Sequence, residues 1–413
     1  MSKKLFIEAS HNKPLLLLMD LVNPLFTRLY ANITAVDLDE ESRRRVVNLK
    51  GKRALLLTNH PTQVEMTICY GLSEFMDDRF NFMGARRAFS YGGGVIGEIM
   101  AKTGSFSIIG GTVDRPAMKA FRKALTKPEG KMALAPEGEP MSGFNSVLMP
   151  MQSGIFKMAL GALQELKKTN EDEDILIQPV FTRYAFIFEP AVSHRILFKR
   201  LEKCARNNKV AYKGNIFAGL AALVQCCLEK YEKETGFRNQ GKNKSTRWER
   251  VQEKILQQVA QELDWAGLKP GEPLLLQHRA TATILELIEL GHPPKNIQVP
   301  SKSLLKRLKY LHGIVYEMIS MDLETDFTSL ALEDVGEWIL KLEALLDGRQ
   351  LLAEGGRPSI VPRRAKVMAL EPLSLASLGK GFNNDGDKIR DHISQLYHKA
   401  EESSRTALTY YSG

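Results

Sequence analysis

Over roughly the first two hundred residues, short apolar runs bounded by glycine, proline or charge alternate with stretches of helical spacing. The runs at 54–58, 106–109, 131–135 and 175–181 predict strands; the stretches from Pro61 to about Met76, 116–125 and 153–168 predict helices between them. Such strand–loop–helix repetition predicts an α/β sheet with helices on its faces. Chemistry in sheets of this kind gathers in the loops leaving the carboxyl ends of the strands.

From about His194 the texture changes. The segments 209–234, 244–265, 272–290, 301–321 and 332–346 all carry helical spacing. In the fourth, Leu304, Leu308, Leu311 and Val315 form an apolar stripe with Lys302, Lys306 and Lys309 off it. Turn residues at 236–242, 269–271 and 291–294 separate these helices. After residue 358 a strand is expected at 365–370 and a final helix at 385–407. The expected organisation is an α/β core over 1–190, an all-helical insertion over 191–358, and a strand and helix over 359–413 that return to the core. Residues 365–370 should then pair into the same sheet as 175–181.

Composition changes this picture little: 413 residues, 44% hydrophobic and 25% charged, are those of an ordinary globular chain. The longest apolar stretch, Pro14 to Tyr30, is interrupted by Asp20, Asn23, Pro24 and Arg28, so no membrane span is expected. The residues after Lys3 and Lys4 are too polar for a cleavable leader. Cys69, Cys204, Cys226 and Cys227 lack metal-ligand spacing and read as buried thiols of a reducing compartment. These features predict a cytoplasmic protein, soluble or peripheral at the inner membrane face. Charge adds one asymmetry. Residues 191–254 hold 15 Lys and Arg against 6 Asp and Glu, which equals the whole net charge of +9. A localised basic stretch suits an anionic membrane surface or an acidic carrier protein. Nucleic acid ranks last, because no aromatic pattern or known module accompanies the charge.

Candidate chemistry begins at Leu55-Leu-Leu-Thr-Asn-His-Pro-Thr-Gln-Val-Glu65. The strand ends at Asn59–His60, and Pro61 suits the opening of a helix. His60 then stands at the sheet's carboxyl edge with Glu65 nearby. A carboxylate bonded to one imidazole nitrogen fixes the tautomer, so the other nitrogen accepts a proton from an attacking hydroxyl. Lys131-Met-Ala-Leu-Ala-Pro-Glu-Gly-Glu139 brings Glu137 and Gly138 to a turn at the same edge. Asp114 and Arg115 lie in a loop preceded by Gly104, Gly110 and Gly111, and Ser153–Ala159 leads on to Ile175-Leu-Ile-Gln-Pro-Val180.

These four blocks, in this order, resemble the glycerol-phosphate/lysophosphatidate acyltransferase family. Its members carry His, four residues and an acid, then a Gly-led strand with an Arg, then Pro-Glu-Gly, then a strand with Pro-Val. The resemblance covers about residues 31–190 and 361–408. It implies a His60–Glu65 pair acting on an acceptor hydroxyl, with acyl-CoA or acyl-carrier protein as donor and neither a metal nor a bound cofactor. It also implies an acceptor-binding role for Glu137 and Gly138. Where members usually have Asp, this chain has Glu65, and Glu139-Pro140 stands where many have Thr-Arg. The family's phosphate-binding Arg falls at Gly110. Arg115, or Arg86 and Arg87, would then supply the charge for a glycerol-phosphate or lysophosphatidate acceptor. The alternatives are a non-phosphorylated acceptor, or a lipid- or carrier-binding protein without activity.

Overall fold

The computed structural model describes residues 3–62, 64–138, 142–237, 243–269, 271–350 and 358–411. Among them, eight strands form one mixed sheet. These are β1 (Ile33–Leu38), β2 (Ala54–Thr58), β3 (Asn81–Ala85), β4 (Ser105–Ile108), β5 (Lys131–Leu134), β6 (Leu176–Phe186), β7 (Arg363–Ala369) and the short β8 (Leu373–Ser374). Their order is β1-β7-β6-β2-β5-β3-β4, with β8 also paired to β6. β6, β2, β5, β3 and β4 run parallel, whereas β7 is antiparallel to β6 and β1 follows β7. The central β2 and β5 are buried on both faces, which is why their sequences read as unbroken apolar runs.

Helices cover both faces. α1 (Lys13–Ala31), α2 (Glu40–Val47) and α3 (Glu65–Met76) pack one side through Leu16, Val46, Ile68 and Leu72. α4 (Val95–Lys102) lies beside β4, and α5 (Arg115–Thr126) and α6 (Ser153–Lys167) cover the other side. Six helices follow β6: α7 (Pro190–Asn207), α8 (Ile216–Glu234), α9 (Lys244–Glu262), α10 (Leu274–Glu289), α11 (Lys302–Met318) and α12 (Leu332–Asp347). After β8 come α13 (Leu375–Gly381) and α14 (Gly386–Ser403), which pack on α6 and β6. β7 pairs with β6 from Val180↔Ala369 to Phe186↔Arg363, so the six helices stand between two neighbouring strands. The expected pairing of 365–370 with 175–181 is present.

Differences from expectation are local. The mixed sequences of β1 and β3 hid two strands, and the charged face of α7 hid a helix. α3 begins at Glu65, four residues after Pro61. The six-helix segment has its own core, with Trp248, Leu220, Leu228 and Trp338 at its centre. α12 runs through it with every residue from Leu332 to Leu346 buried, the charged ones included. Most of those charges are matched: Glu333 accepts from the backbone N–H groups of Phe186 and Thr409, Glu343 pairs with Arg200, and Glu337 with Arg363. Lys341 donates to the Glu317 carbonyl, whereas Asp334 keeps one oxygen without a partner among the described residues. Part of the basic stretch is likewise spent on structure, in Arg200–Glu343, Arg247–Glu232 and Lys230 on the last carbonyls of α12. Cys69, Cys204 and Cys227 are buried thiols, and Cys226 is half-buried.

α1 shows the opposite pattern. Its inner face meets α3 through Asn23, which donates to the Thr67 carbonyl, and through Asp20, which accepts from the Tyr70 hydroxyl, but Leu17, Leu21 and Leu29 are 71%, 80% and 72% exposed. Leu18, Leu25, Phe26 and Tyr30 are exposed too, with Phe26 and Tyr30 stacked at 5.0 Å. No described helix is long and apolar enough to cross a membrane.

Candidate active site

β2 stops at Thr58, opposite Val180, while β6 continues to Phe186. The overhang is finished by side chains. Asn59 donates to the carbonyl of Thr182 at 2.9 Å and accepts from its N–H at 2.8 Å; Asn145 treats Tyr184 likewise, both at 2.8 Å. Each amide imitates a strand residue and satisfies a buried backbone that has lost its neighbour. His60 leaves the sheet at this point, and the overhang sets the Tyr184 side chain beside it.

Glu65 opens α3 and turns inward, wholly buried. His60 Nδ1–H donates to its Oε2 at 2.9 Å, Thr62 N–H donates to it at 3.2 Å, and the Tyr184 hydroxyl donates to its Oε1. Burial pushes the Glu65 carboxyl upward, yet the bonds from His60, Thr62 and Tyr184 outweigh this and leave it below its ordinary value. It is therefore an anion near neutral pH. An anion at Nδ1 places the lone pair of neutral His60 on Nε2 and stabilises the imidazolium once Nε2 takes a proton. The longer Glu65 meets His60 because it starts the helix, not because it shares a helical face.

Glu137 follows the neighbouring β5. Its Oε1 accepts from the backbone N–H of His60 and its Oε2 from that of Met149, both at 2.8 Å, and the side chain is buried. Burial raises its carboxyl to about 7, against the opposing pull of those two donors. The expected acceptor-binding role is thereby corrected. Both oxygens face inward, and Glu137 fixes the loop that carries His60. Gly138 is required by the turn: its φ is +65°, and a Cβ there would lie 2.0 Å from Gln152 Nε2.

The expected cations divide. Arg86 and Arg87 follow β3, the neighbour of β5, and so reach the same edge. Arg86 is buried, donating from Nε to the Lys4 carbonyl at 2.9 Å and from Nη1 to Ser90 Oγ at 3.2 Å, so it holds the N-terminal segment and is corrected as an acceptor ligand. Arg87 is half-buried, its guanidinium 5.1 Å from the centroid of Tyr316 on α11. Arg115 is exposed at the start of α5, beyond the edge strand β4 and three strands from β2. Two participants escaped the sequence. Tyr184 lies far downstream on a strand with no motif of its own. Arg279, on α10, donates to the Glu137 carbonyl at 3.0 Å; its one signal was the polar run Gln277-His-Arg279 within an apolar helix.

Among the described residues, no group of three His, Cys, Asp or Glu side chains is placed to hold a metal ion. The geometry can orient a histidine as a proton acceptor and support its charge. Comparison with protein-family models and with curated proteins returns no match to this chain.

Proposed function

We propose that the chain is an O-acyltransferase of the glycerol-phosphate/lysophosphatidate type, moving a fatty acyl group from a thioester to an acceptor hydroxyl. The observation carrying this reading is the 2.9 Å bond from His60 to buried Glu65 at the carboxyl end of β2, with the Glu137 turn beside it. In the step envisaged, His60 Nε2 takes the hydroxyl proton as the oxygen attacks the thioester carbonyl. The new C–O bond replaces the C–S bond, and the imidazolium returns the proton to the departing thiolate. The products are an ester and a thiol, in phospholipid synthesis. General-base catalysis of this kind contributes about 10²–10⁴-fold.

The donor is acyl-CoA or acyl-carrier protein, and the reaction is placed at a lipid surface. Support for the surface comes from α1, whose exposed face carries five leucines, Phe26 and Tyr30 with Lys13 and Arg28 at its two ends and no exposed acid. Such a face suits the interface of an anionic bilayer. The test is thiol release by purified protein given acyl-CoA or acyl-carrier protein with a panel of phosphorylated and neutral acceptors. Release that needs acceptor and disappears in His60→Ala supports the reading; none with any acceptor sinks it.

A further inference from the structure

We propose that Tyr184 is a positioning residue through which Arg363 of β7 and Glu337 of α12 set the strength of the His60–Glu65 base. The proposal rests on the acyltransferase reading and names what tunes that same site from the helical segment.

The line of contacts is continuous. In the antiparallel β6–β7 pair Tyr184 lies opposite Ala365, so Arg363, two residues along, stands on the same face of the sheet as its diagonal neighbour. The Arg363 guanidinium carbon lies 4.1 Å from the centroid of the Tyr184 ring, and its Nη1 donates to Glu337 Oε1 on α12 at 3.1 Å. Tyr184 in turn donates its hydroxyl proton to Glu65 Oε1, and Glu65 Oε2 accepts from His60 Nδ1 at 2.9 Å. Asn145 holds both the N–H and the carbonyl of Tyr184, which fixes the root of the ring. Glu65, Tyr184, Arg363 and Glu337 are all buried, so water does not dilute their mutual effects.

The effect has a sign. A buried carboxylate takes up a proton readily unless donors spread its charge. Tyr184 is such a donor, because burial first, and then the charge of Glu65, keep its hydroxyl protonated. Without that hydroxyl the negative charge gathers on Glu65. The His60–Glu65 pair, titrating as a unit, then takes its proton at a higher pH and is a free base over a narrower range. The Arg363 cation over the ring also opposes uptake of a proton, and Glu337 partly cancels that cation. Removing the Glu337 charge therefore moves uptake to lower pH. The six helices inserted between β6 and β7 thus bring α12 to the back of the base, at the one seam where both strands end beside it.

The test uses the full chain with Tyr184→Phe, Glu337→Gln and the control Tyr397→Phe, whose buried hydroxyl donates to the Leu57 carbonyl at 2.6 Å instead of to Glu65. Thiol release is followed from pH 5 to 9, with melting temperatures alongside. Expected for Tyr184→Phe is an acid limb of kcat/KM raised by about half to one pH unit, with plateau kcat lowered about three- to tenfold and KM kept. The limb should fall in Glu337→Gln and stay in place in Tyr397→Phe, even where the melting temperature drops. A limb unmoved in Tyr184→Phe, moved equally in Tyr397→Phe, or not lowered in a folded Glu337→Gln overturns the proposal. Should Glu337→Gln not fold, Arg363→Met, which takes away the cation, must raise the limb instead. Should the wild type release no thiol with any acceptor, the acyltransferase reading fails separately. The titration of the His60 ring then decides, followed by NMR in histidine-labelled protein and assigned with His60→Ala. A higher midpoint in Tyr184→Phe upholds the proposal, and an equal one removes it.

Discussion

The two halves of the sheet's carboxyl edge are built in contrasting ways. On the β2–β5 half, carboxylates are sunk beneath a histidine: Glu65 and Glu137 hold His60, and Thr62 and Tyr184 in turn hold Glu65. On the β3–β4 half, the loop after β4 meets α10 at two glycines, and Arg87 at the end of β3 rests on Tyr316 of α11. A reacting group needs orientation to fractions of an ångström, which short local connections provide. The second half is instead closed by a separate body, the helical segment. The contrast predicts that damage to the first half should appear in turnover and damage to the second in how firmly that segment is seated.

The largest effect should come from the first half. His60→Ala should lower kcat at least about a hundredfold without unfolding, and Glu65→Gln nearly as much, since an amide orients the ring but cannot stabilise imidazolium. A thiol-release assay beside a thermal melt checks this; His60→Ala retaining most of its turnover would break the contrast. Next, Gly111→Ala should push Thr283 of α10 away from the β4 loop, lowering the melting temperature with kcat nearly kept and costing about 1 kcal/mol for the strained φ alone. A kcat loss as large as that of Glu65→Gln would place both halves in one unit.

Loss of lipid binding should be the third effect. Changing Leu21, Leu25 and Leu29 together to Ser should weaken sedimentation with anionic vesicles at least about tenfold while leaving the melting temperature in place, because all three are exposed. Equal binding of wild type and variant would return the α1 face to ordinary surface.

The smallest effect is a slope. Glu137 titrates at about 7 in the fold against an ordinary 4.5, so its stabilising contribution is full below 4.5 and lost as pH rises through 7. Asp334, raised by burial to about 7, acts in the same sense. Glu65, held below its ordinary value, contributes above that value and loses its contribution as pH falls. Buried His278 and His312, held below their ordinary 6.5, act in the opposite sense, so the Glu137 contribution is read as a difference: the melting temperature of the wild type relative to that of Glu137→Gln should decline between pH 5 and 8. An unchanged slope in that variant would mean Glu137 is not the titrating group.

The same contrast governs what the sequence disclosed. β2 and β5, buried on both faces, announce themselves as apolar runs, and His60 and Glu65 are five residues apart, so their meeting needs only a strand end and a helix start. Glu137 was legible as a site residue but not in its role, because the direction of a side chain at a turn depends on what packs above it. Tyr184 and Arg279 are 124 and 219 residues beyond His60, and no local periodicity encodes a contact at that range. The exposed leucines of α1 and the buried charges of α12 invert the usual rule, since burial depends on what covers a helix as well as on its composition.

One pairing also sets a clock. β1 has β7 as its neighbour in the sheet, with Ile33 registered against Arg363. At ribosomal speeds of about 5–20 residues per second, β1 waits on the order of tens of seconds before its partner is synthesised. During that interval β6, already made, presents an unpaired edge on the β7 side, the kind of edge that recruits foreign strands. The six helices made in between have a core of their own and can condense first, shielding the end of β6 near Phe186. Closure of the sheet would then be the late event of biogenesis.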